Sequence, residues 1–296
     1  MIFRLIDEER HDHAVSRLAR ALGVTRAGYH AWKRRPASAR AQEDARLKTL
    51  IAEAFEGSLR TYGAPRIHAE LVMEHGVSVS RKRVARLMRE LGIEGVSRRR
   101  RTGRASRMAA EAPAAPDLVR REFTAERPDM LWTADITYIP TYEGWLFLAI
   151  VADMCTRRIV GWSMGERPTA GIVVDALSMA LATRRPPPGL VHHSDRGAQY
   201  RSLVFGKTLR ESGIAQSMGS KGDAYDNAST ESIMSTIKTE LVRRHTFKTR
   251  DAARLAVFSY IETFYNPLRR HSALGYLSPV EFEKKMEQVS LAAGAA

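Results

Sequence analysis

Between Arg98 and Pro116 the chain loses every trace of apolar periodicity. Six arginines fall within the ten residues Arg98 to Arg107, and the run AAEAPAAP follows almost at once. No segment of this kind can be placed inside a hydrophobic core, because it has no apolar face to bury. It therefore divides the 296 residues into two parts that must each fold around apolar residues of their own. The rhythm on its two sides differs: helical spacing before it, strand alternation after it. The division also separates charge. Met1 to Glu122 carries 26 Lys/Arg against 15 Asp/Glu, whereas Phe123 to Ala296 carries 21 against 18, so most of the net +14 belongs to the first part. Such an excess implies a polyanionic partner. DNA fits better than a membrane surface, since no basic helix has a broad aromatic or leucine face.

The first part reads as helices. Val15, Leu18, Ala19 and Leu22 mark one helical face, Gly23 stops it, and Thr25 is placed to cap a second short helix over 26–34. LARALGVTRAGYHAW is thus helix, tight turn, helix, a pattern that many hairpins without affinity for DNA share. Leu47, Leu50, Ile51 and Ala54 repeat the spacing. Pro65 opens a helix containing Ile67 and Leu71, Gly76 ends it, and Ser80 is placed to cap a third, with Val84, Leu87, Met88 and Leu91 as its buried stripe and Gly92 as its stop. Arg81, Lys82, Arg83, Arg86 and Arg89 lie in the first turns or on the outward side of that helix, as entry into a major groove requires. A solvated face on an ordinary three-helix bundle would read the same way. These patterns predict a helical segment over 1–40, a helix-turn-helix-like domain over 43–95 and a basic flexible linker over 96–122. In the linker Arg98, Arg99, Arg100 and Arg101 can follow phosphates without fixed geometry.

In the second part Trp132, Ala134, Ile136 and Tyr138 alternate with Thr133, Asp135, Thr137 and Ile139, predicting a half-buried strand with Asp135 on its more polar face. Strands follow over 146–151 and 158–164, a helix over 169–183, a strand over 190–194, a helix over 202–212 and a strand over 214–218. A polar, glycine-containing loop leads to helices over 227–240 and 249–265. The order predicts an α/β domain with a mixed sheet, over 123–290. No run of 18 apolar residues exists, and MIFRLIDEERHDH lacks the apolar stretch of a secretory leader, so a cytoplasmic, nucleoid-associated protein without a membrane partner is expected. Cys155 is the only cysteine, which leaves oxygen or histidine ligands for any metal.

Asp195 ends the strand LVHHSD, at the edge where α/β sheets commonly place their sites. Glu231 lies one turn into a helix, and 35 residues separate the two. Singly, each carboxylate has a structural explanation: a strand-edge Asp caps or pairs, and a first-turn Glu answers the helix dipole. Together with Asp135 upstream, they resemble the catalytic core of retroviral integrases and DDE transposases, and more closely that of OrfB-type insertion-sequence transposases. The stretches that carry the resemblance are WTADITYIP, HHSDRGAQYRS, GDAYDNASTESIMSTIKTEL and YNPLRRHSALGYLSPVEFE, with TYGAPRIHAEL and SRKRVARLM in the helical part.

The resemblance implies a ribonuclease H-like fold with a mixed five-stranded sheet behind an all-α helix-turn-helix-like region, and a DNA transposase that hydrolyses and then joins phosphodiesters. It implies Asp135, Asp195 and Glu231 as catalytic and metal-holding residues for two Mg2+ ions, or Mn2+ in their place, with Asp135 shared between them. Lys238, seven residues after Glu231 on the same helix face, would contact DNA phosphate. Element ends and target DNA would be the substrates. A homo-oligomer on DNA is expected, with an upstream-frame OrfA product, or fusion to it, supplying the end selectivity that arginine runs do not give. Two readings compete: a structure-selective nuclease on the same fold, and a DNA-binding regulator with an idle catalytic domain. Other signals are set aside. His192 and His193 sit on opposite strand faces, FGKT lacks the earlier glycine of a phosphate loop, and Glu240 is too far along its helix to replace Glu231.

Overall fold

The computed structural model describes residues 1–96, 115–119, 125–219 and 228–294. Three helices open the chain: α1 (Ile2–Glu9), α2 (Val15–Ala21) and α3 (Arg26–Arg34). They enclose a small core of their own around Ile6, Ala19 and Tyr29. The predicted cap is in place, with Gly28 N–H donating to Thr25 Oγ1 at 2.9 Å. Helix α1 is not among the helices the sequence reading sets out, although Ile2, Phe3, Leu5 and Ile6 cluster on one side of it, and Ile6 contacts this core.

Next come α4 (Ala39–Gly57), α5 (Ala64–Met73) and α6 (Arg81–Glu90). Leu47, Ile51, Ile67, Leu71, Val84, Leu87 and Met88 meet as the spacing requires, and Ser80 caps α6 by accepting from Arg83 N–H at 3.3 Å. Leu91, expected in the stripe, lies past the helix end and is exposed.

The second part is built on a five-stranded sheet in the order β3-β2-β1-β4-β5. Strands β1 (Leu131–Thr141), β2 (Gly144–Asp153) and β3 (Ile159–Gly165) form an antiparallel meander. The short strands β4 (Val191–Ser194) and β5 (Ala215–Met218) run parallel to β1. One face packs on α7 (Ala170–Arg184) and α8 (Leu203–Glu211), through Trp132, Ala134, Val151 and Val160. Gly161 permits that contact: a Cβ there would lie 2.2 Å from the Ala176 carbonyl oxygen. The opposite face packs on α9 (Ala228–Glu240) and α10 (Arg250–Ser259), through Leu131, Ile139, Leu148 and Ile150 against Ile233, Met234, Ile237 and Val257. The face of β1 that alternation marks as more polar is therefore interior. Thr133 and Thr137 are buried on it, whereas Tyr138, on the apolar side, is exposed.

The segment predicted as one helix over 249–265 changes pitch at Tyr260 into a wider π-helical turn, Tyr260–Tyr265, whose Tyr260, Ile261, Phe264 and Tyr265 are buried. Past it the chain fastens the domains. Asn266 accepts from Ile159 N–H and donates to the Ile159 carbonyl, fixing β3. Arg269, fully buried, donates to Glu240 at 2.6 and 2.7 Å, and Glu240 also accepts from Tyr260 Oη at 2.8 Å. Arg270 turns the other way, into Glu70 of α5 and Glu74 just past its end, while its backbone N–H donates to Tyr62 Oη at 2.7 Å. The helical domain and the sheet domain thus share one continuous apolar cluster in which Tyr62 lies with Phe264 and Ile261. A last helix, α11 (Pro279–Gly294), which the sequence reading does not predict, begins at a turn where Ser278 N–H donates to Glu281.

Removing Arg269 alone would strand a buried carboxylate, at a cost of roughly 3–5 kcal/mol, whereas removing both charges together can be nearly neutral. Urea unfolding should find Arg269→Met strongly destabilised and Arg269→Met/Glu240→Leu close to the parent. Equal stability of Arg269→Met and the parent would contradict this role for the pair.

Candidate active site

Strand β4 is only four residues long, and β1 pairs with it over Leu131, Trp132 and Thr133. Beyond Thr133 the β1 strand runs on paired to β2, and its other edge meets only an isolated bridge at its far end, from Thr141 to Phe247. Asp135 stands where that free edge begins, and its Oδ1 accepts from Ile136 N–H at 2.8 Å. Asp195 follows the last residue of β4, so the same shortness that frees the edge of β1 delivers the second carboxylate beside it. Its Oδ1 accepts from Gly197 N–H at 2.9 Å, tightening the turn. Both aspartates line one cleft of about 180 Å³, together with Tyr138, Phe147, Pro168 and Tyr200.

Glu231 is exposed in the first turn of α9, and its charge reaches Asp135. Burial, and then the Asp195 charge, push the Asp135 carboxyl up from 3.8 to about 7; the Ile136 N–H and Lys238 oppose the rise, and Glu231 adds to it. Among the described residues no three His, Cys, Asp or Glu side chains form a ready metal cage. The carboxylates nonetheless repel one another through the field at Asp135, and hard oxygen donors of like charge are what a divalent Mg2+ or Mn2+ ion neutralises. The donor set fits such ions.

Lys238 occupies the predicted side of α9. It is half-buried, with Nζ 5.2 Å from the centre of the Tyr138 ring. Burial lowers its ammonium pKa, and Asp135 partly restores it. The cation therefore stands within the field of the carboxylates without forming a salt bridge that would quench it.

Two residues of this cleft are not singled out by the sequence reading. Tyr200 is buried behind both aspartates, its hydroxyl held protonated by burial first and by their charges second. Tyr138 forms an edge-on pair with exposed Trp145 at 4.8 Å. Tyr200 could have been found as the aromatic closing HHSDRGAQY; Tyr138 could not, because alternation assigns it to the interior.

The signals set aside behave as expected. His192 packs edge-on against Phe205 at 5.2 Å, and burial lowers it to about 3, so it is a neutral core imidazole. His193 points elsewhere, to Ser217 Oγ at 2.9 Å. The FGKT segment is part of α8, and Glu240 is committed to Arg269.

The proposed DNA-contacting cations divide. Arg81 and Lys82 are exposed at the start of α6. Arg83 and Arg86 instead turn back onto Asp44 of α4, each at 2.8 Å, and hold its carboxyl below the usual range. Arg98, Arg99, Arg100 and Arg101 lie outside the described residues.

Comparison with known proteins adds the following. The Integrase core domain family matches residues 125–224 and, in a second form, 212–279; the HTH-like domain family matches 41–101. The chain is 41% identical over 273 residues to the insertion element IS600 uncharacterized 31 kDa protein of Shigella sonnei, covering 92% of this chain and 100% of that one. It is 37% identical over 287 residues to the transposase InsF for insertion sequence IS3A of Escherichia coli (strain K12), covering 96% and 99%. With the transposase for insertion sequence element IS629 of Shigella sonnei it shares 39% over 285 residues, or 95% of each. Among solved structures, the HTLV-2 integrase catalytic core domain in complex with magnesium aligns over 53% of this chain and 95% of that one, at 16% identity and a TM-score of 0.39.

In the absence of divalent ions the folded chain binds a proton at Asp135 more tightly than the unfolded chain does. That contribution to stability is complete at low pH and is lost as the pH rises from about 4 through about 7. Urea unfolding in EDTA, taken as the difference between the parent and Asp135→Asn, should move steadily in favour of the variant across this range and level off above it. A difference independent of pH would show that Asp135 is not held in its protonated form.

Proposed function

This chain belongs to the family of insertion-sequence transposases with an integrase core domain, polynucleotidyl transferases acting on DNA, and we propose that Asp135, Asp195 and Glu231 are its catalytic carboxylates. The observation that carries this reading is the position of Asp135 at the free edge of β1, pushed to about 7 by burial and by Asp195, with Glu231 adding to the same field. Two divalent ions, Mg2+ or Mn2+, held by these three side chains would stabilise charge on the attacking and leaving oxygens. The chain's own residues do the rest. The unpaired edge of β1 leaves room for a DNA strand beside Asp135, and Tyr200 closes the back of the cleft against water. Lys238 positions a phosphate of the element end. Water opens the phosphodiester there to free a 3′-hydroxyl, which then attacks a phosphate of the target and expels the target's own 3′-hydroxyl, so that one phosphodiester forms as another breaks and no outside energy source is needed.

DNA is brought to this site by the basic helical part. Arg81 and Lys82 contact phosphates at the start of α6, Arg83 and Arg86 act while holding α6 against α4, and Arg98 to Arg101 track the backbone. Two copies at least act together, since joining two ends needs two sites, and an OrfA product of an upstream frame, free or fused, supplies the multimerising element and selectivity for the terminal repeats. Among the described residues no helix is long and apolar enough to cross a membrane; the protein works on nucleoid DNA in the cytoplasm.

Asp135→Asn, Asp195→Asn and Glu231→Gln should each lower cleavage and joining of a labelled element end in Mg2+ by more than about 100-fold, beyond what loss of a supporting contact costs. DNA binding should be retained. Appreciable activity in one variant would remove that residue from the set, and hydrolysis without joining in the parent would favour the nuclease reading. Lys238→Ala, in contrast, should weaken capture of the labelled end while leaving Mg2+ binding, followed by calorimetry, unchanged. Parallel loss of both would assign Lys238 a structural role.

A further inference from the structure

Helices α2 and α3 form a unit that neither the matched HTH-like domain at 41–101 nor the carboxylate site accounts for. They are joined by Leu22, Gly23 and Val24, and Gly23 sits at φ +66, a conformation that an L side chain rarely adopts. Ala19, buried in α2, keeps the crossing close, and Tyr29 and Trp32 of α3 close the small core with Leu18, Leu22 and Val24. Helix α1 locks α3 in place: Asp7 accepts from Tyr29 Oη at 2.6 Å and pairs with Lys33 Nζ at 2.7 Å. A nine-residue helix is about 13 Å long, and this one is fixed along its inner face by those contacts.

Its outer face is free. Arg26, Ala27, His30, Ala31 and Arg34 fall at i, i+1, i+4, i+5 and i+8 and line one shallow, open concavity. Arg26 and Arg34 are exposed and have no ion-pair partner among the described residues. From His13 to Arg40 the sequence holds seven Lys/Arg and no Asp/Glu. The contrast with α6 is direct, since there Arg83 and Arg86 are engaged by Asp44. On α3 the small alanines let the backbone approach a groove wall, while the two guanidinium groups and the imidazole offer the donors that base edges accept.

We propose that α2 and α3 form a second DNA-reading unit, with α3 lying in the major groove of duplex DNA and Arg26, His30 and Arg34 reaching base edges. Within the transposase reading, this gives the chain base-specific contacts of its own, where its sequence suggested phosphate contacts alone. The acidic face of a protein partner is the competing occupant.

The test selects duplexes from a randomised pool with the full-length chain at fixed salt. The parent should enrich a motif. His30→Ala and Arg34→Ala should each erase preference at part of that motif and weaken binding to the enriched duplex about 10-fold, with binding to a scrambled duplex nearly unchanged. Ala31→Glu, solvent-facing and away from Tyr29, should abolish enrichment, while Arg81→Ala should leave the motif intact. Circular dichroism guards against unfolding, and cleavage at saturating DNA should survive in Arg34→Ala, which separates this proposal from the fate of the carboxylate site. No motif in the parent, the same motif in every α3 variant, or equal losses on enriched and scrambled duplex would overturn it. So would a variant that disrupts only self-association or partner binding.

Discussion

The buried pair of Arg269 with Glu240 seats the helix that carries Glu231 and Lys238. Glu240 is the last residue of α9, the helix that carries Glu231 and Lys238, and Arg269 approaches it from the segment beyond the π-helical turn. Burial alone would push the Glu240 carboxyl up, yet the Arg269 hydrogen bonds bring it below its ordinary range. Such a pair adds little net stability over an apolar replacement, but it permits only one seating of the helix end. Arg66 of α5 lies 3.9 Å from the same carboxylate, and Arg270, adjacent to Arg269, grips Glu70 and Glu74. The register of α9 and the seating of the helical domain are therefore one constraint. A shift of the helical domain on DNA cannot leave Glu231 and Lys238 unaffected.

Strand lengths supply the second constraint. A β4 strand as long as β1 would bury the edge at Asp135 behind another strand and carry Asp195 away from it. With four residues, β4 stops three pairs into β1, and both aspartates emerge at one cleft. The mutual repulsion that follows is a consequence of sheet geometry, and it makes the site a receptor for positive charge. Lys238 is kept from neutralising it by its distance and by its seat over Tyr138.

Much of this was legible in the sequence where information is local. Helical spacing found α2 to α6, caps at Thr25 and Ser80 set two of their starts, and alternation found β1. The spacing of Asp195 and Glu231, with the stretches around them, singled out the carboxylates proposed as catalytic, and two of the three, Asp135 and Asp195, line one cleft. What escaped depends on partners far along the chain. Nothing local tells that Arg83 and Arg86 answer Asp44, about forty residues upstream, or that the two arginines of YNPLRRHS face opposite domains. The polar alternation at Thr133, Asp135 and Thr137 suggested a wet face, yet α9 covers it, because the threonine methyls pack while only Asp135 reaches the edge. Helix α11 has weak periodicity, and α1, though amphipathic, is too short for its pattern to show what it docks against.

The distribution of charge follows from the same arrangement. An acidic centre repels a polyanion, so affinity must come from elsewhere, and most of the excess of cations lies before Phe123. Those cations are not equivalent. Arg83 and Arg86 share their charge with Asp44, and Arg269 and Arg270 are spent inside the protein, so a count of arginines overstates the charge available to DNA. Arg26 and Arg34, on a helix whose inner face is locked and whose outer face is bare, remain available. Long-range attraction depends on total charge, but reading a sequence depends on donors held rigidly at a groove. By that criterion the short α3, with its inner face locked and its outer cations unpaired among the described residues, is the element suited to the proposed reading.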